Sequence, residues 1–367
     1  MNYIIYYLLL LFIPLAIFSH WQYGDSIYSF IWACLGIIPL AKFMGEATEN
    51  LACHVGEVIG GLLNASFGNA CELIIAITAL RSGFYDVVKA SITGSIISNV
   101  LLVLGASMFF GGFKRQYQRF NKVAAMTSAT LLALAAISLI IPTVFHYIYV
   151  NSSNTVKVVH ETRLALFIAI VLFVTYLASL FFTLKTHKSL FVGSSEPDNQ
   201  VLDDSVKSSI EETAKLPSFR LAIITLLLAT VFVTVLSDIL ISSLTPFAQA
   251  LGLSQTFIGV ILIAIIGNAA EHSTAVVCAV KNKIDLSINI ALGSGSQIAL
   301  FVAPVIVFAS FIIGKPMNLC FTYFEVLAIT VSVIILSFVA ADGECNWLEG
   351  FQLMAVYLIL ACTFYFL

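Results

Sequence analysis

The sequence predicts an all-α polytopic membrane protein of about eleven transmembrane helices, one leading helix followed by two inverted-topology five-helix repeats. Three observations lead there. Of 367 residues, 60% are hydrophobic and only 10% charged, with a mean hydropathy of +1.02. Soluble domains carry about 25% charged residues, so this chain lacks the polar surface to face water all round. Long apolar runs recur from end to end, among them Val123–Ile141, Leu164–Leu184 and Phe324–Ala341. A helix needs roughly 20 such residues to cross a hydrocarbon core ~30 Å thick. Finally, a polar motif inside one apolar run returns inside another, half a chain later.

Taken in order, the spans fall near 3–20, 27–48, 52–80, 85–111, 122–148, 162–185, 219–244, 253–281, 285–313, 319–340 and 347–366. Residues 1–20 have the length of a signal peptide. Met1–Tyr7 carries no positive charge, however, and no small-residue cleavage site follows, so a retained leading helix is expected. The one long polar stretch, 186–218, holds Asp203, Asp204, Glu211 and Glu212 between Lys188 and Lys215. It divides the chain into a leading helix (1–20), a first repeat (27–185), an acidic loop (186–218) read as a solvated linker, with a calcium-attracting or regulatory segment the alternative, and a second repeat (219–367).

Lysine and arginine orient the molecule. Alternate loops on one side hold Lys114, Arg115, Arg119, Lys122, Lys185, Lys188, Lys207, Lys215, Arg220, Lys281 and Lys283; the other side holds Arg81, Lys157, Arg163 and Lys315. Positive charge stays cytoplasmic, so the N-terminus and the 186–218 loop are expected inside and the C-terminus outside. No basic stripe with interleaved aromatics is present, which argues against nucleic acid as a partner; membrane lipid is the expected surrounding. The seven cysteines are scattered, with no CxxC pair and no zinc spacing, and read as small apolar fillers.

The repeat is specific. Residues 60–76 read GGLLNASFGNACELIIA and residues 259–275 read GVILIAIIGNAAEHSTA, at a constant offset of 199 without a gap. The offset matches Gly68-Asn69 with Gly267-Asn268 and Glu72 with Glu271; further on it matches Asp86 with Asp285 and Gly94-Ser95 with Gly293-Ser294. Five spans, an odd number, separate the copies, so they enter the membrane from opposite sides. That arrangement puts a substrate site near the midplane, between halves able to exchange roles.

Glu72 and Glu271 carry the chemistry. A carboxylate in mid-membrane costs roughly 2.5–3.5 kcal/mol on insertion scales, and neither motif segment contains a Lys or Arg to offset it. A protonated glutamate hydrogen-bonded within a packed core is the bland alternative for either residue, weaker for a symmetric pair. Glycine weakens the helix before each glutamate, and asparagine competes for backbone hydrogen bonds. An unwound turn with freed carbonyls is therefore expected at each motif. Carboxylates, carbonyls and side-chain oxygens make a hard-oxygen cage of the kind calcium prefers. No His or Cys cluster visible in the sequence offers soft ligands. His272, beside Glu271, reads as a hydrogen-bonded neighbour before a ligand.

The helices after each motif add Ser91, Ser95, Ser98 and Asn99 in the first half, and Ser294, Ser296 and Gln297 in the second; Ser98 aligns with Gln297. Small serines also serve close packing, whereas Asn99 and Gln297 are bulkier and costlier in lipid and are expected to act at the site. Two carboxylates can neutralise one divalent cation or hold two protons, and bringing them together disfavours two bare charges, so a proton-coupled cycle is expected. Glu46, Glu49 and Asp238 are candidates for an access path, with snorkelling or capping the alternative. Glu57 and Glu325 have no assigned role.

With these residues in view, the chain resembles the calcium/proton antiporter branch of the calcium/cation antiporter superfamily. The likeness runs through GEATENLACHVGEVIGGLLNASFGNACELIIAITAL (45–80), GSIISNVLLVLG (94–105), GNAAEHSTAVVCAVKNKIDLSINIALGSGSQIALFVAP (267–304) and the acidic loop. It implies eleven helices in two inverted halves, Glu72 and Glu271 as shared calcium and proton sites, and Gly68, Asn69, Gly267 and Asn268 shaping unwound segments. It implies no cofactor, only transported calcium and protons, and short tails fit a bacterial inner-membrane protein. Three positions depart from the family pattern: Cys71, Ser273-Thr274 and Asp238, where a glutamate is expected. A passive calcium channel or a sodium-coupled exchanger are the competing transport readings. An enzyme has no support, because HExxH and GxSxG are both absent.

Overall fold

The computed structural model describes residues 3–55, 57–148, 154–190 and 218–367. Asp203, Asp204, Glu211 and Glu212 of the acidic loop lie outside the described residues.

A leading pair, α1 (Tyr3–Leu9) and α2 (Phe12–Tyr23), precedes the first half. Pro14 has no N–H for a bond back to Leu10, and the chain tightens there: Leu11 and Ile13 donate three residues back, to Leu8 and Leu10, at 3.1 Å each. The first half comprises α3 (Ile27–Val55), α4 (Glu57–Phe67), α5 (Ala70–Arg81), α6 (Tyr85–Gly112), α7 (Lys122–Ile148) and α8 (Asn154–Phe181). The second comprises α9 (Phe219–Ser242), α10 (Leu244–Leu251), α11 (Gln255–Gly267), α12 (Ala269–Val280), α13 (Ile284–Ile312), α14 (Tyr323–Ala340) and α15 (Trp347–Phe366).

Among the described residues, nine helical stretches are long and apolar enough to cross a bilayer, or up to ten if α10 and α11, bent by 115°, form one span. The expected spans absent from the nine are 52–80 and 253–281, the two that carry the motif. Both are assembled from shorter pieces, α4 with α5 and α11 with α12, because each helix is interrupted at Gly-Asn. Helices α6 and α13 are continuous but widen to π-helical turns at Ser98–Val103 and Ile298–Val302. These turns overlap at the repeat offset and lie at the level of Asn99 and Gln297; π-turns are frequent at functional sites.

Loop contacts fix which helix ends share a face. A two-residue strand β1 (Gln118–Arg119) pairs antiparallel with β2 (Glu344–Cys345), and Arg119 Nε donates to Glu344 Oε1 at 2.9 Å. The ends of α6 and α14 therefore meet at one face. At the other, Lys315 Nζ donates to the Arg81 carbonyl at 2.6 Å and Asn318 Nδ2 to Glu161 Oε2 at 3.2 Å. The parity expected from the apolar runs follows. The halves interlock rather than abut: α3 packs along α9, and Phe30 stacks on Phe247 with ring centroids 4.0 Å apart.

The repeat breaks its own symmetry where α6 crosses α11. A Cβ on Gly94 would lie 2.0 Å from the Val260 carbonyl oxygen, and one on Gly259 would lie 2.6 Å from Ala90 Cβ. Only glycine lets these backbones meet. At the equivalent crossing of α13 with α4, a Cβ on Gly293 meets nothing within 4 Å among the described residues, while one on Gly60, the counterpart of Gly259, would meet the Ala52 carbonyl oxygen of α3 at 2.3 Å. One crossing is shut and its counterpart is open. Gly94→Ala is therefore expected to cost roughly 1–3 kcal/mol in overpacking and to lower the melting midpoint of the detergent-solubilised protein. Gly293→Ala should leave that midpoint unchanged or slightly raised, and equal losses in the two variants would refute the asymmetry.

Candidate functional site

Each motif ends one helix and starts another. Asn69 (φ −99°, ψ 24°) and Asn268 (φ −91°, ψ 9°) leave helical geometry, and α5 and α12 begin at the next residue. The interruption is smaller than the expected unwound turn. Gly68 still donates to the Asn64 carbonyl at 2.8 Å and Leu73 to that of Asn69 at 3.1 Å; Asn268 donates to Ala264 at 3.2 Å and His272 to Asn268 at 2.9 Å. One residue slips out of register, and the flanking bonds survive. Its main effect is to make two helix N-termini in mid-span, with Glu72 and Glu271 each in a first turn, where the partial positive charge of the helix end favours a carboxylate.

The two glutamates line one cavity of about 420 Å³. They are half-buried, because their side chains face that space rather than being sealed in protein. Asn64 and Gly68, before the first motif glutamate, share the wall with Thr274, after the second. Beyond Glu72, Ile75 and Ala76 meet Ile263 and Gly267, and the space shrinks to about 10 Å³, hardly enough for one water. Residues preceding one motif thus lie level with residues following the other, as copies running in opposite directions require. The cavity sits toward the ends bearing the Lys114–Lys122 and Lys281–Lys283 loops; the constriction lies on the opposite side.

A hydrogen-bonded lattice ties the halves across the site. Asn268 is fully buried; its Nδ2 donates to Ser95 Oγ at 3.0 Å and to the Ala264 carbonyl at 2.9 Å. Asn99 Nδ2 donates to Asn268 Oδ1 at 3.2 Å and to Ser294 Oγ at 3.0 Å. The Ser294 hydroxyl in turn donates to Glu271 Oε2. Asn69 Nδ2 donates to Gln297 Oε1 at 2.6 Å. Each motif asparagine therefore reaches the helix that follows the other motif. Glu72 differs from Glu271: its Oε2 is buried and accepts no hydrogen bond among the described residues. A Cβ on Gly267 would lie 3.3 Å from Glu72 Cγ, whereas the Cβ position of Gly68 has no close side chain.

Of the residues expected from sequence, Glu72, Glu271, Gly68, Asn69, Gly267, Asn268, Asn99 and Gln297 come together here. Ser98 and Ser296 do not join them. Their hydroxyls donate to their own helix, at the Ser95 carbonyl (3.2 Å) and the Leu292 carbonyl (2.8 Å), which is the packing alternative for a membrane serine. Ser95 and Ser294 take the polar role instead. His272 stays off the cavity wall, its Nε2 buried without a hydrogen bond among the described residues. Glu46 and Glu49 do line the cavity, whereas Asp238 is exposed on α9 and does not. Asn64 and Asn289 on the wall were missed: asparagines outside a motif carry no signal in one sequence. Glu325 closes the capping box of α14, whose N-cap is Thr322, accepting from Thr322 N and Oγ1 at 2.8 Å each. Its Thr-x-x-Glu spacing is a capping box legible in the sequence.

The sodium/calcium exchanger protein family matches residues 25–185 and 221–366 of this chain. Similar curated proteins include a Ca(2+)/H(+) antiporter of Aphanothece halophytica, 46% identical over 99% of this chain and 96% of the relative. The Ca(2+)/H(+) antiporter ChaA of Bacillus subtilis is 40% identical over the full length of both. Among solved structures, native YfkE superposes with a TM-score of 0.82 at 37% identity, covering 99% of this chain and 100% of its own.

The lattice makes a graded prediction. Asn268→Ala strips partners from Ser95 and Asn99 in a fully buried setting and should cost about 1–3 kcal/mol. Asn69→Ala removes a bond to Gln297, which faces the cavity, and should cost less. Melting midpoints in detergent test the order, and the reverse order would show that Asn268 is not the hub.

Proposed function

Because the chain belongs to the sodium/calcium exchanger protein family, we propose that it exchanges calcium, or a similar divalent cation, for protons across a membrane by alternating access, with Glu72 and Glu271 as the shared carboxylates. The observation that carries this reading is that the two glutamates, from oppositely running copies, line one cavity that is wide on one side and shut on the other. The names of the full-length relatives support the cargo and its coupling.

The chemistry is charge balance. With a divalent cation bound, two carboxylates leave the site neutral; with two protons bound it is neutral again. Glu72, with an oxygen free of hydrogen bonds, and Glu271, sharing one with Ser294, supply the anionic ligands, and Gln297 adds a neutral oxygen. Asn69, Asn99 and Asn268 hold these groups in place. Residues 27–185 and 219–367 form the exchanging halves, after the leading helix 1–20 and joined by the loop 186–218. In the opposite state the crossings swap roles: α13 closes on α4 at Gly293 and Gly60, and α6 parts from α11 at Gly94 and Gly259. A passive channel needs both crossings open together, and a sodium-coupled cycle finds no further acid at the centres of α5, α6, α12 and α13, Glu46 and Glu49 lining the cavity from α3.

Calcium-45 uptake into inside-out vesicles under an imposed proton gradient is the direct test. Uptake should collapse with a protonophore and in both Glu72→Gln and Glu271→Gln. Gly293→Leu should fold as well as wild type yet lose uptake, because its crossing can no longer shut. Uptake that ignores the gradient would sink the exchanger reading in favour of a channel.

We place the protein in a bacterial inner membrane with the N-terminus and the 186–218 loop cytoplasmic, which makes the described conformation inward-open. A C-terminal alkaline phosphatase fusion should then be active, and activity only from a fusion at the 186–218 loop would invert the topology.

A further inference from the structure

The geometry points to a second metal site, for a soft or borderline divalent cation of the zinc and cadmium class, formed by His146, Glu161 and Cys320 at the face opposite the basic loops. A nitrogen, an oxygen and a sulfur ligand atom from these residues all lie within 4.8 Å of one another. That donor set differs from the hard-oxygen cavity and suits tetrahedral zinc, with a fourth position left for water.

Surrounding contacts hold the ligands in place. Asn318 serves two of them: its Nδ2 donates to Glu161 Oε2 at 3.2 Å, and its Oδ1 accepts from the Cys320 N–H at 3.4 Å. Outer contacts of this kind orient metal-binding carboxylates. The Cys320 carbonyl accepts from Lys89 Nζ at 3.0 Å, and Phe321 N donates to Thr143 Oγ1 at 3.1 Å, so the segment bearing the thiol is pinned from both sides. Glu161 is 4% exposed and the His146 side chain 34%, which leaves a route from solvent on the histidine side.

His146 Nδ1 and Glu161 Oε1 now share a hydrogen bond of 2.8 Å, and Cys320 Sγ rests 3.6 Å from the Pro142 carbonyl. Bonds of ~2.0 Å at tetrahedral angles put ligand atoms about 3.3 Å apart. Metal binding thus spreads the first pair by about half an ångström, sends the proton between them to His146 Nε2 or to solvent, and releases the thiol proton to solvent. Because the ligands come from α7, α8 and the segment between α13 and α14, the ion would fasten the two halves together at this face. The proposal does not rest on the transport reading.

Cadmium titration of the full-length protein tests it, in detergent with excess calcium, following thiolate-to-cadmium charge-transfer absorption. One ion per chain should bind. The band should vanish in Cys320→Ser, weaken more than about tenfold in His146→Gln, weaken about tenfold in Asn318→Ala, and persist in Cys71→Ser, which removes a thiol on the central cavity. No band, or a band that survives Cys320→Ser, overturns the site. A band indifferent to His146→Gln and Glu161→Gln reduces Cys320 to an isolated thiol and overturns it equally. Should Cys320→Ser fail to fold, zinc protection of Cys320 from maleimide replaces it: protection in wild type that is lost in His146→Gln supports the site, and absence of protection refutes it.

Discussion

Hydrocarbon offers no hydrogen bonds, so a polar group in mid-membrane finds its partner within the protein or in a cavity, or stays buried without one at a cost. The architecture of this chain follows from that constraint at one place, the Asn268 side chain. Its amide donates to Ser95 on α6 and accepts from Asn99 on the same helix, while Asn99 also donates to Ser294 on α13. Three segments from two halves are thereby tied at the level of the carboxylates. The helix break that exposes Glu271 to the cavity is made by the same asparagine. Breaking the helix and bracing the break are one structural act.

Two nearly identical motifs adopt different environments. Glu271 accepts from Ser294, but among the described residues Ser95, the counterpart of Ser294, donates to no carboxylate; it accepts from Asn268. Asn268 Nδ2 and Oδ1 both have partners, whereas Asn69 Oδ1 is buried without one among the described residues. Sequence symmetry allows an exchange to Asn69 with Ser294 and Ser95 with Glu72, because those residues stand in matched positions, whereas Asn99 and Gln297 face Ile298 and Ser98 at the repeat offset. Gly293, clear of any neighbour within 4 Å, has the small surface to accept the close crossing that Gly94 already makes. A structure that is asymmetric while its sequence is symmetric has the ingredients of a two-state element.

Much of this was legible in the sequence because the bilayer reduces the options. Apolar runs of bilayer length gave the spans, and the GNAxE pair gave the two breaks, whose interrupted helices are absent from the nine continuous ones. What stayed hidden was local geometry. A Gly-Asn pair permits either an unwound turn or a one-residue slip, and only the flanking bonds distinguish them. Ser98 and Ser95 look alike in sequence, yet one turns to its own helix and the other to Asn268. Cys320 lies far along the chain from His146 and Glu161, which themselves sit on different helices, so no spacing rule could have assembled them. Glu325 is a different case: its Thr-x-x-Glu capping box is local in sequence, so its role needs no tertiary contact.

Magnitudes decide what the carboxylate pair does on the proposed cycle. A helix N-terminus stabilises an anion by about 0.3–1 kcal/mol, up to ~2 when partly buried. Holding an ionised acid in mid-membrane costs roughly 2.5–3.5 kcal/mol. The half-helix ends at Ala70 and Ala269 therefore offset part of the cost for each glutamate and leave a deficit, which mutual repulsion between two bare carboxylates deepens. The cavity side can hydrate that charge, but closing the crossing at Gly293 would remove the water. An empty, doubly ionised site is thus the form least able to pass through the closed state, whereas a site neutralised by a divalent cation or two protons passes without the deficit. Coupling then needs no dedicated gate, since the cost of sealing bare charge is enough to stop the halves from exchanging places unloaded.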